Sequence, residues 1–399
     1  MLKKLLVLIV TAFVDMVGLL MVLPLMPFYA RDLGAGSLMV TVMVVAFTAA
    51  QLMSAPLWGR FSDRYGRKPA MLVGLGSAAI GFVVFAYANS IWLLLLSRIV
   101  QGAGGGTVGV IQAYVADSTE PENRAKALGW LSAATNLGVA LGPPLGSFAL
   151  LAGRSGPGLL AAALCLINMA FAWRYLSESR DMEDARSTKK PKRSREAIRQ
   201  VFVHAKEAAP RLIWIYAIAM GSFSAVTAIL PIFLADQFGV TEENIWIFFT
   251  YIGVVSVITR AGFLGRMVEY FGEVRLSRIG LALLALGLAA YPFVYNYVLL
   301  AIVITAVPLG TAFTFPCVTS LLSRVISSSE RGLYMGVQQT FGGLSRVVIP
   351  LWAGFSYDAF GRSVPFVTSA ALVLFALFIN FGVEDGRRPR PEPATELAA

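Results

Sequence analysis

Apolar stretches of about 20 residues recur from one end of the chain to the other, the length an α-helix needs to cross a hydrocarbon core of ~30 Å. Twelve can be drawn, at roughly 5–27, 39–58, 69–88, 91–115, 127–150, 157–176, 211–234, 244–265, 276–295, 297–322, 332–355 and 363–383. Lipid offers no hydrogen bonds, so a spanning segment must satisfy its own backbone, and a helix does so internally. The composition agrees: 57% of the 399 residues are hydrophobic and 14% charged, where a soluble domain carries about a quarter charged residues. The expected class is an all-α integral membrane protein of twelve transmembrane helices. The first segment reads as a retained span. It is long, contains Asp15 and lacks a small-residue cleavage pattern.

The basic residues separate by loop. One set of loops holds Lys3 and Lys4, Arg60, Arg64, Arg67 and Lys68, Arg124 and Lys126, Arg266, Arg275 and Arg278, Arg324 and Arg331, and Arg387, Arg388 and Arg390. The alternate set holds Arg31, Arg154 and Arg362. Lys and Arg stay with cytoplasmic loops, so both termini are expected in the cytoplasm. The same pattern accounts for the net charge of +10 without nucleic acid as a partner.

Enzyme chemistry finds little material. The single histidine, His204, lies in a charged linker, and Cys165 and Cys317 lie in apolar segments. Neither a metal-ligand spacing nor a Ser/His/Asp set can be assembled. The run Gly104-Gly-Gly106-Thr-Val-Gly109 matches a dinucleotide fingerprint in form, but it sits inside an apolar span with no strand before it. Close packing of span 4 is the better account. No cofactor is expected, and without a Walker A sequence ATP is not the expected energy source.

A polar stretch at 177–210, with Thr188-Lys-Lys-Pro-Lys-Arg-Ser-Arg195 inside it, divides the chain into six-span halves at 1–176 and 211–399. This linker is expected to lie against anionic lipid and to contain a surface helix over Arg195 to Ala209. The halves repeat each other. Gly59-Arg-Phe-Ser-Asp-Arg-Tyr-Gly66 returns as Gly265-Arg-Met-Val-Glu-Tyr-Phe-Gly272, and Arg124-Ala-Lys-Ala-Leu-Gly129 as Arg331-Gly-Leu-Tyr-Met-Gly336. Both matches share nearly one register. Parallel six-span repeats predict two pseudo-symmetric bundles around a central cavity.

The segment Gly59-Arg-Phe-Ser-Asp63-Arg-Tyr-Gly66-Arg67-Lys68 between spans 2 and 3 resembles the cytoplasmic loop motif of the major facilitator superfamily, and the resemblance extends over the whole chain. It implies that Gly59 and Gly66 allow a sharp turn, that Asp63 bonds toward span 11, and that Asp117 pairs with Arg67 to hold a gate. Within that superfamily the residues are similar to twelve-span drug:proton antiporters of the tetracycline and multidrug efflux type. Span 5 carries Gly138-Val-Ala-Leu-Gly142-Pro143-Pro144-Leu-Gly146, similar to the antiporter signature, with Ser147 where another glycine is common. Span 1 has Asp15-Met-Val-Gly18 followed by Pro24 and Pro27, and span 4 has Ser97-Arg98-Ile-Val-Gln101-Gly102, similar to the arginine motif assigned to proton coupling.

Asp15 lies about ten residues into its span, ~15 Å deep at 1.5 Å per residue. Charge at that depth normally faces a cavity or a partner. Arg98 and Arg346 are also deep, and either is available to pair with Asp15 or to bind a substrate anion. Arg260, about five residues from the expected end of span 8, reads as snorkelling. The expected mechanism makes Asp15 the proton site, with Arg98 adjusting it and Arg346 serving substrate or charge compensation. Gln51, Gln112, Asn136 and Gln339 are candidate cavity residues, with Phe233 and Phe313 as aromatic walls. The expected activity is proton-coupled export of small amphipathic molecules by a monomer in the bacterial inner membrane. A carrier of metabolites, sugars or lipids, or a receptor that no longer transports, would use the same fold.

Overall fold

The computed structural model describes residues 2–105, 107–178, 194–204, 207–327 and 330–383. The basic run 188–193 and the arginines at 387, 388 and 390 lie outside the described residues. Every regular element is helical: α1 Leu2–Val22, α2 Met26–Asp32, α3 Ser37–Tyr65, α4 Arg67–Ala86, α5 Ile91–Gly104, α6 Thr107–Ser118, α7 Pro121–Ala149 and α8 Gly156–Tyr175 in the first half. After a short helix α9, Ser194–Val203, the second half contains α10 Ala208–Phe238, α11 Ile245–Ile258, α12 Leu264–Phe271, α13 Glu273–Ala290, α14 Tyr297–Val325, α15 Arg331–Phe360 and α16 Val364–Asn380.

Among the described residues, ten helical segments are long and apolar enough to cross a membrane. The remaining two expected spans are α15, 30 residues with more polar positions, and α16, 17 residues and slightly short. Three spans depart from a regular α-helix. Span 1 turns at Leu23-Pro24-Leu25 between α1 and α2, where a proline without an N–H interrupts the ladder. Span 4 stops at Gly104 and resumes at Thr107, within the glycine run. Span 8 joins α11 to α12 through a π-helical turn, Thr259–Phe263, so it extends to Phe271 instead of ending near 265.

The packing repeats as the sequence does. In the first half α1 packs on α7 and α8, and α4 on α5 and α8. In the second half α10 packs on α15 and α16, and α13 on α14 and α16. These are the same pairings six spans later. The halves meet through α3 with α15 and through α7 with α11, two contacts exchanged by the same pseudo-two-fold. The repeated loop even keeps its backbone: Gly66 and Gly272 have φ of +101° and +76° and ψ of 162° and 161°. Those angles favour glycine, because a Cβ is strained there.

The span 5 glycines face the backbone of span 1. A Cβ at Gly138 would lie 2.8 Å from the Phe13 carbonyl, and one at Gly142 would lie 2.7 Å from Leu20 Cβ. One at Gly146 would strike the Met21 carbonyl. Small residues four apart thus bring two helices to backbone contact. α7 continues helical through the buried Pro143. In span 4 a Cβ at Gly102 would collide with the Phe47 backbone and one at Gly104 with Ser77, so part of that glycine run is packing surface.

Helix α9 lies against α10 and α15. Its Ala197 and Val201 are buried, and the Trp214 indole donates to the Val201 carbonyl at 3.2 Å.

Candidate transport cavities and gates

Between the halves lies a central cavity of about 210 Å³. Spans 1, 2, 4, 7 and 11 contribute walls that include Pro27, Phe47, Arg98, Phe223, Pro231 and Arg346. Arg346 and Thr48 also border a larger cavity of about 620 Å³. This second space runs past Gln51 and Gln339 toward Gly59, Asp63 and Arg67 at the basic end of the bundle. The Gln51 amide donates to the Gly105 carbonyl at 2.9 Å, and Gln339 donates to the Tyr216 hydroxyl at 3.4 Å.

A third cavity, about 240 Å³, is walled by Asp15 and Met16 of span 1, Gln112 of span 4, Ser132, Thr135 and Asn136 of span 5, and Arg260 of span 8. Three of the expected polar residues, Asp15, Gln112 and Asn136, are therefore together. Of the two arginines available to pair with Asp15, neither forms an ion pair with it among the described residues. Arg98 borders the central cavity instead, where Nη1 donates to Gln101 Oε1 at 2.6 Å and the guanidinium lies 4.8 Å from the Phe47 ring centroid. The cation that shares this cavity with Asp15 is Arg260, with a buried Nε that has no hydrogen-bond partner. Its π-helical turn presents it to this space, and snorkelling is not what it does.

Two expected cavity walls are packing residues. Phe233 is buried among Phe238, Tyr291 and Phe366, and its ring meets Phe366 edge-on at 5.0 Å. Phe313 is buried in a small cluster with Leu276 and Cys317. An aromatic residue on an apolar helix has no sequence mark for the side it faces.

At the basic end Arg67 joins three groups. Its Nε lies 3.0 Å from Asp117, and Nη1 lies 3.0 Å from Asp63 and 2.9 Å from the Ser62 hydroxyl. The Glu178 carboxylate accepts the backbone N–H groups of Arg67 and Lys68 at 2.8 and 3.1 Å, satisfying the start of α4. Gly66 turns at positive φ against that carboxylate. Gly59 does not help the turn, because it lies within α3 with open space around it.

The opposite end is closed by residues treated in the sequence mainly as exceptions to the charge pattern. Arg31 makes a two-pronged contact with Asp236, at 2.7 and 3.0 Å, and Tyr357 donates to the same carboxylate at 2.7 Å. Asp358 accepts the N–H groups of Ser37 and Leu38 at 3.1 and 2.8 Å, so a residue of span 11 caps the helix of span 2. Beneath this cap a Cβ at Gly354 would lie 2.9 Å from Leu38 Cα. The signal was available in paired form, since Arg31 needs a counter-charge and Asp236 is at the matching end of span 7.

Two six-helix repeats, cavities at their junction, one end sealed and the other lined toward its surface, define a secondary transporter. The chain belongs to the Major Facilitator Superfamily, whose model matches residues 8–264 and 213–399. It moves small molecules across a membrane and is not an enzyme. It is 28% identical to multidrug resistance protein 1 of Bacillus subtilis (strain 168) over 353 residues, 88% of this chain and 89% of that one. It is 27% identical to the class C tetracycline resistance protein of Escherichia coli over 383 residues, 94% and 96% of the two chains. The nucleoside transporter NupG shares the fold at a TM-score of 0.75 and 12% identity, covering 96% of this chain and 99% of NupG.

Proposed function

We propose that the protein exports small amphipathic, drug-like molecules in exchange for protons, with Asp15 as the proton site. The observation that carries this reading is the chamber holding Asp15. Among the described residues, Asp15 is the carboxylate set near the middle of a span, and its chamber is also lined by Arg260 from the other half. Protonation of Asp15 changes the charge balance at a boundary between two bodies that must move in alternating access. A ligand or proton drives such a change only if it differs in affinity between the two states, and a site shared by both halves meets that need.

The apolar cavities suit an amphipathic body. A fourth space, about 200 Å³ and lined by Leu20, Phe223, Phe249, Ile252 and Tyr291, adjoins the central one through Phe223 and Thr227. The efflux names of the full-length relatives support export. The basic end is taken as cytoplasmic by the positive-inside rule, with both termini there and the host a bacterial inner membrane. In that orientation the structure is an inward-facing state. Arg67, Asp63 and Asp117 are assigned to the inner gate.

The test is proton movement in proteoliposomes, read by a pH-sensitive dye as substrates are added. Substrate-driven proton flux lost in Asp15→Asn is the expected result. Full proton-coupled transport by Asp15→Asn would remove Asp15 from the mechanism.

A further inference from the structure

The central cavity holds two arginines and no carboxylate. Arg98 comes from span 4 of the first half and Arg346 from span 11 of the second. Arg98 is 1% exposed. Both have a buried Nε without a hydrogen-bond partner, and among the described residues neither forms an ion pair. The cavity's other walls are apolar apart from Thr48, Ser224 and Thr227.

Several other guanidinium groups of this chain are met by acid. Arg31 has Asp236, Arg67 has Asp63 and Asp117, Arg154 has Asp32 and Arg324 has Glu273. A guanidinium does not shed its proton, so it cannot escape burial by becoming neutral. Unpaired charge in an apolar site is costly, and the cost falls when an anion with matching acceptors enters. Asp15 does not supply that anion, because it borders a different cavity with Arg260.

We propose that the central cavity binds the carboxylate or sulfonate head of an amphipathic organic anion between Arg98 and Arg346, with its apolar body against Phe47, Met220, Phe223 and Pro231. This rests on the reading of the protein as an exporter of amphipathic molecules and names the charge of its substrate. Phe47 already covers one face of the Arg98 guanidinium, and the Nε edge remains unbonded. A carboxylate matches the planar donor fork of arginine, and a lysine in the same place offers only a point charge. Each arginine belongs to one half, so an anion held between them links the two bodies whose relative motion carries it across.

The test uses full-length protein in lipid nanodiscs and three probes with one body and different heads: para-butylbenzoate, para-butylbenzamide and para-butylbenzylamine. Calorimetric titration should show the benzoate binding roughly tenfold or more tightly than the amide and the amine, a difference of ~1.4 kcal/mol or more. In Arg346→Gln the preference should collapse to about twofold or less, and Arg346→Lys should restore part of it. Equal binding of all three probes by the wild-type protein overturns the proposal, and that comparison needs no variant. So does an unchanged preference in Arg346→Gln. Proton movement in proteoliposomes separates this inference from the antiport reading. Benzoate transport without protons would defeat antiport and leave the anion site standing. Proton-coupled transport of the amine, with no benzoate binding, would do the reverse.

Discussion

Arg67 shows how much one side chain does at the basic end of this transporter. Its guanidinium meets Asp117 across the first bundle, Asp63 one turn earlier and the Ser62 hydroxyl, all within about one hydrogen-bond length. Each charge-assisted bond is worth roughly 1.5–3 kcal/mol when shielded, and partial exposure of the acids lowers that to about 1 kcal/mol each. Arg67→Ala should therefore destabilise the protein by about 1–2 kcal/mol, with Arg67→Lys between it and the wild type, as read by thermal unfolding in detergent. A variant melting with the wild type would mean that these contacts hold nothing in the state measured. The specific loop spacing singled out Asp63 and Arg67, and the contact of Arg67 with Asp117, which lies outside the loop, was implied only by the family resemblance. Asp15 was legible because a charge is conspicuous in an apolar run. Arg260 was misjudged for a geometric reason. Its depth was counted from an end of span 8 near 265, but the helix continues to Phe271 and the π-helical turn adds a residue that periodicity does not register. Arg260→Gln is accordingly expected to shift the pH at which Asp15-dependent proton flux is half-maximal, measured with the same dye assay, while substrate binding persists. An unmoved profile would make Arg260 a bystander to Asp15.

At the scale of elements, the seam between α1 and α7 is an exacting contact in the first half. Gly138, Gly142 and Gly146 leave room for the backbone of Phe13 to Met21 and for nothing larger. Gly142→Val places three carbons where Leu20 Cβ and the Val17 carbonyl already sit, and overpacking of this kind costs about 1–3 kcal/mol. The expected result is a lower melting temperature together with reduced transport, because Asp15 lies on the helix that would be displaced. Wild-type stability in Gly142→Val would show that the seam can open without loss. This seam could be read from spacing, since small residues four apart serve few other purposes in a span. The irregularities in spans 1, 4 and 8 were harder. Pro24 marked the first, but the helix stop at Gly104 was hidden in a glycine run that reads equally as packing, and Gly104 does pack against Ser77. Phe233 and Phe313 were misplaced because helical periodicity in a uniformly apolar segment does not say which side meets protein, lipid or cavity.

For the whole molecule, closure at the end away from the basic loops sets which state is observed. Arg31, Asp236 and Tyr357 tie spans 1, 7 and 11 together, and Asp358 caps span 2 from span 11. These contacts break when that end opens, so Asp236→Asn should weaken the closed state by about 1 kcal/mol, roughly a fivefold change in the ratio of states. Spin labels at that end, read by distance distributions, should show more of the open form, and an unaltered distribution would leave closure to the helix contacts alone. Transport energetics give a second test at this scale. If a monovalent anion leaves as one proton enters, two positive charges move inward per cycle. A neutral substrate moves one charge, and a monovalent cation moves none. Each charge is worth ~2.3 kcal/mol per 100 mV, about fiftyfold in the concentration ratio reached at equilibrium. With no pH gradient and an imposed potassium diffusion potential, inside negative, para-butylbenzoate should be driven out roughly fiftyfold more steeply per 100 mV than para-butylbenzamide. An anion gradient that ignores the potential would mean that the molecule leaves as its neutral acid with no proton entering in exchange. That result would move the work of Arg98 and Arg346 from binding a travelling charge to holding a fixed one.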